Sequence, residues 1–120
     1  MLSYKLFGSG LSTLTVDALK DTATGLTATG SDQSGALEVT SSQNAFSTVA
    51  NGTGTILDSD ASAGDSQMIY NGGANALKVY PVSGAQINAL GANQPMLLPI
   101  RTACMFHCLT TTLWTGILSA

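Results

Sequence analysis

Charge is what this chain has least of. Charged residues fill only 9% of its 120 positions, against about 25% in an ordinary globular domain. A monomer in crowded solution draws solubility from charge, so an outside this poor in it points to a surface covered by neighbouring protein. Positive charge is scarcer still. Lys5, Lys20, Lys78 and Arg101 are the only cations, and they are scattered along the sequence, which excludes the basic patch that phosphate neutralisation demands. Long apolar runs are missing as well. No stretch approaches the roughly 18 consecutive apolar residues of a membrane span, and MLSYKLFGSG has no apolar h-region of a secretory signal. Leu2 after Met1 also removes the glycine that N-terminal acylation needs. The expectation is a soluble chain made in the cytoplasm, with no nucleic-acid or membrane partner.

Catalytic groups are equally sparse. There is one histidine, His107, inside the apolar run TACMFHCLT. No Gly-X-Ser-X-Gly elbow is present, because GSG at Gly8 to Gly10 and SGA at Ser34 to Ala36 do not supply one. Cys104 and Cys108, the only cysteines, flank His107 in that run. On an extended strand they share a face about 13 Å apart, too far for a disulfide, while His107 points the other way. Core packing is therefore expected for both thiols, with no metal site. Asp58, Asp60 and Asp65 in DSDASAGD offer hard oxygen ligands, but no terminal bidentate Glu follows as an EF-hand requires. They read as solvated turn formers, and no cofactor is expected.

What the sequence does have is short, punctuated β-runs. ALEVTS (Ala36 to Ser41) alternates, with Leu37 and Val39 on one face and Glu38 and Thr40 on the other. Asn51-Gly52 between AFSTVA and GTILD is a type I′ hairpin signal. Asn71 to Asn75 between SQMIYN and ALKVYPV reads as a second and stronger hairpin, which would make Tyr70 and Tyr80 cross-strand neighbours. Pro95 and Pro99 confine QPMLLPI to a sheet edge or a barrel rim. TACMFHCLT and TLWTGILSA close the chain as two central strands, with Trp114 expected in the core or at an interface. About eight short strands predict an all-β fold, a single β-sandwich or jelly-roll-like domain over residues 25–120. LSTLTVDALK (Leu11 to Lys20) is ambiguous between helix and strand.

Residues 1–24 read as an N-terminal arm or cap. They carry Tyr4, Phe7, Leu11, Leu14, Val16 and Leu19, too much apolar area for a solvated tail. These six are the candidate contacts to a capsid or to another subunit, with Gly8 and Gly10 as a joint.

Three segments carry a family resemblance: Gly25 to Leu57, Gly64 to Pro99 with NGGANALKVYPVSGAQINALG at its centre, and MFHCLTTTLW (Met105 to Trp114). Together they resemble a small β-module widespread in structural proteins of tailed bacteriophages. The chain departs from it at LLPIRTAC, where family members often have a Gly-rich turn, and residues 1–24 lie outside it. The resemblance implies a virion component with no catalytic residues to carry over. A stand-alone chain of this size favours a capsid decoration, or cement, protein on the head exterior, binding the major capsid protein. Low charge, apolar closing strands and the three-fold sites of capsid lattices point to a homotrimer. The alternative is a head- or tail-fibre module, or a carbohydrate-binding module using Tyr70, Tyr80 or Trp114 on host glycans.

Overall fold

The computed structural model describes residues 21–119. All regular structure among them is β, in ten strands: β1 (Thr22–Thr27), β2 (Leu37–Glu38), β3 (Gln43–Thr48), β4 (Gly54–Ile56), β5 (Ser66–Asn71), β6 (Leu77–Tyr80), β7 (Gln86–Ile87), β8 (Met96–Leu98), β9 (Thr102–Thr110) and β10 (Leu113–Leu118). The candidate helix at Leu11 to Lys20 and the six arm residues Tyr4, Phe7, Leu11, Leu14, Val16 and Leu19 lie outside the described residues. β1 begins at Thr22, so its first three residues fall on the arm side of the boundary expected at residue 24.

The chain alternates between two sheets as it advances. Odd-numbered strands, with β10, form a six-stranded sheet in the order β1-β3-β5-β9-β10-β7, and β2-β4-β6-β8 form a four-stranded one. β1, β3 and β5 run parallel to one another, as do β2, β4 and β6. Each circuit therefore lands beside the previous one: Leu37 pairs with Thr55, 18 positions on, and Gln43 with Met68, 25 positions on. This is a solenoid-like stack closed by antiparallel pairing of β8 on β6, β9 on β5 and β10 on β9. The all-β class holds, but the antiparallel connectivity of a jelly roll is not what these pairings give.

Both expected hairpins are corners instead. At Ala50 to Thr53 the Thr53 N–H reaches the Ala50 carbonyl at 3.1 Å. Gly52 has φ +82° while Asn51 keeps a negative φ. A type I′ turn needs both positive; one alone gives a type II turn, which does not match the twist of a two-stranded ribbon. The chain accordingly leaves β3 for the other sheet. At the second site the buried Asn71 side chain replaces the hairpin turn. Its Nδ2 donates to the carbonyls of Asn75 and Leu98, both at 2.9 Å, and its Oδ1 accepts from the Gly73 N–H at 2.9 Å. Gly73 is needed for closeness rather than for φ, because a Cβ there would stand 2.7 Å from the Val49 backbone nitrogen. Tyr70 and Tyr80 consequently lie in different sheets.

The core fills the space between the sheets. Phe46, Ile69, Cys104, Phe106, Cys108, Trp114 and Ile87 come from the larger sheet, and Leu77, Val79 and Leu98 from the smaller, joined by Val39 and Leu57 beyond the ends of β2 and β4. Gly116 sits opposite Phe106. A Cβ there would meet the Phe106 ring at 3.1 Å and the Met96 sulfur at 2.9 Å, so the glycine makes room for the ring. Leu37 and Val39 point inward with Glu38 and Thr40 exposed, β8 is an edge strand, and β9 and β10 are interior, as the sequence indicates.

Candidate functional site

Three features of the described residues could carry function: an acidic corner, a Ser–His pair, and the outer face of the six-stranded sheet. The acidic corner surrounds a depression of about 410 Å³ lined by Ser41, Ser42, Asp58, Asp65, Ser66 and Gln67, among others. Its carboxylates are already engaged by their own loop. Asp58 Oδ1 accepts from the Asp60 N–H at 2.9 Å, Asp65 Oδ2 from the Ser62 N–H at 2.8 Å, and Glu38 Oε2 from both the N–H and Oγ of Ser59 at 2.8 Å. Gln67 ties this loop to the core, accepting from the Asp58 N–H at 3.0 Å and donating to the carbonyls of Val39 and Ser41. These are turn-forming roles. No group of three or more His, Cys, Asp or Glu side chains is placed to hold a metal among the described residues.

The pleat separates the C-terminal trio as expected. Cys104 and Cys108 are free and buried, and burial pushes the Cys104 thiol up to about 11. Cys108 is raised too, by burial first and by the nearby negative charge of Asp65 second. His107 lies half-buried on the opposite side of β9, its Nδ1 2.8 Å from Ser66 Oγ. The two residues are cross-strand partners in the β5–β9 ladder, so their hydrogen bond is one that antiparallel pairing supplies by itself.

The third feature is the largest. Registers align Gln43, Met68, Met105 and Ile117 in one row across β3, β5, β9 and β10, with Ala45, Tyr70 and Ala103 in the next and Ser66, His107 and Thr115 in a third. Tyr70, Met105, Leu109 and Ile117 are exposed on these strands. TACMFHCLT and TLWTGILSA, expected as central strands, carry the signal of this face in their sequence: the runs are apolar at odd and even positions alike. Packing among the described residues covers one of the two faces. Of the three aromatics considered for sugar stacking, Tyr80 and Trp114 are buried and Tyr70 is exposed.

Comparison of the chain with known protein families, with curated proteins and with solved structures finds no match in any of the three.

Proposed function

We propose that this protein is a structural component of a tailed-phage virion, a capsid decoration protein that binds the major capsid protein on the head exterior as a homotrimer. The reading draws on the sequence resemblance over Gly25 to Ala120, and one structural observation supports it most. The six strands of the larger sheet contain no Asp, Glu, Lys or Arg, a composition suited to burial against protein and poorly suited to a free surface. The stack starts at β1, an edge strand, and the segment before it carries the apolar residues Tyr4, Phe7, Leu11, Leu14, Val16 and Leu19, a composition suited to the attachment role in this reading.

The test is binding to heads assembled from the major capsid protein of the same genome. Saturable cosedimentation, with a higher disassembly temperature for the decorated heads, is the expected result. Heads that neither bind the chain nor gain stability overturn the proposal. Host-glycan binding is the weaker reading, since a stacking platform needs several exposed aromatics and Tyr70 is the one left exposed of the three proposed.

A further inference from the structure

The described residues leave the outer face of the six-stranded sheet exposed, yet it is not built like a solvated face. An antiparallel or mixed sheet with one free side normally alternates apolar-in and polar-out. Here Ile117 is 63% exposed, Leu109 51%, Met105 38% and Tyr70 38%, and Met68, Met105 and Ile117 are adjacent in one cross-strand row. The charged side chains of the described residues lie elsewhere. Asp21, Asp32, Asp58, Asp60, Asp65 and Arg101 are in loops and corners, while Glu38 and Lys78 belong to the other sheet.

We infer that this face is a self-association surface, occupied by the same face of another copy of this chain. Three considerations select a second copy. A surface that meets its own image must not repel itself, and in a chain of net charge −3 this is the face with no formal charge. Its size is adequate: six strands at about 4.8 Å spacing and about 20 Å of strand length give roughly 580 Å² per copy, or about 1,150 Å² for a pair. That exceeds ordinary crystal-packing areas and reaches the lower range of specific interfaces. Edge-to-edge pairing, the other route for a β-protein to assemble, is obstructed. β1 is irregular, with register shifts on both sides of Leu26 and Gly25 at φ +68°, and β7 at the far edge has two residues. Association therefore uses the face, with Met105 near its centre and Ile117 at the end of the same cross-strand row. This inference stands apart from capsid binding, but a same-face contact closes at two copies and would replace the proposed trimer with a dimer.

Light scattering on the full chain at micromolar concentration tests it, with Met105→Glu, Ile117→Glu and a control, Leu97→Glu, whose side chain is 58% exposed on the other sheet. The wild type and the control are expected at twice the 12.2 kDa chain mass, because a face that meets its own image closes at two copies. Each face variant should associate about a hundredfold more weakly, or not at all, because the new carboxylate would be buried unpaired, with its circular dichroism spectrum unchanged and a cooperative melt retained. A monomeric wild type overturns the inference. So do face variants that assemble like wild type, or a control that dissociates equally. If the wild type is monomeric and a chain starting at Asp21 assembles, residues 1–20 occupy the face, and the inference is again overturned. Head binding measured alongside keeps self-association and capsid binding separate: monomers that bind heads remove this inference and the trimeric state but leave capsid decoration, and assemblies that ignore heads remove capsid decoration alone.

Discussion

Cys104 shows how much a single side chain can report. It lies 1% exposed between the sheets, where a thiolate would lose its hydration without gaining a compensating charge. Its pKa accordingly rises from the ordinary 9.0 to about 11. The folded state thus holds the proton more tightly than the unfolded chain does. That stabilising difference is complete below about pH 9 and is lost as pH climbs through about 11, at a cost of about 2 to 3 kcal/mol. Urea midpoints measured across this window should fall for the wild type more steeply than for Cys104→Ala, which has no thiol to ionise at that position. Equal slopes in the two proteins would mean that the thiol is hydrated. Below pH 9 the same burial keeps the thiol protonated and slow towards alkylating reagents in the folded protein. His107, three residues on, has its side chain on the other face and in contact with Ser66, which is the pleat acting within one strand.

Corners, more than strands, decide this fold. Asn71→Ala removes two donors from buried carbonyls and one acceptor from the Gly73 N–H, and should cost about 3 kcal/mol in denaturation midpoint terms. Asn51→Ala, at an exposed turn, should stay within about 0.5 kcal/mol. Comparable losses at both positions would show that the second corner is not held by its side chain. The strand faces were legible from alternation: Leu77 and Val79 are buried and Lys78 is half-exposed, and Leu37 and Val39 point inward. Strand partners were not. Asn51-Gly52 and Asn71 to Asn75 carry the residue types of hairpin turns, but the difference between a type I′ hairpin and a type II corner is the φ of one residue, Asn51, which residue type alone does not fix. Gly73 of the second corner answers to Val49, which is 24 positions away, a contact visible only once circuits stack. Parallel pairing at 18 to 25 residues leaves no local signature in a sequence whose circuits differ in length. The apolar outer face was legible only in part, since a run apolar at every position reads as a strand covered on both sides without naming the cover.

At the scale of the whole molecule, the attachment role assigned to residues 1–20 requires that the stack close without them. Asp21 is its first described residue, and it already participates: its carbonyl accepts from the Gln43 N–H at 3.0 Å and its carboxylate from the Ser42 N–H at 3.2 Å. A truncated chain should therefore begin at Asp21. Starting at Gly25 would delete Thr22 and Ala23, whose partners on β3 are Gln43 and Asn44. The core from Ala28 to Trp114 lies entirely within the retained chain, so the truncated protein is expected to give a β-type circular dichroism spectrum and a cooperative melt. What it loses is Tyr4, Phe7, Leu11, Leu14, Val16 and Leu19. Burying six such side chains contributes on the order of 10 kcal/mol before the entropy of association is subtracted, enough to account for anchoring on a lattice. The truncated chain should consequently remain folded, keep the self-association of its sheet face, and no longer cosediment with heads. Retention of head binding would move the attachment site onto the stack itself, and an aggregated or unfolded product would make the first 20 residues part of the core.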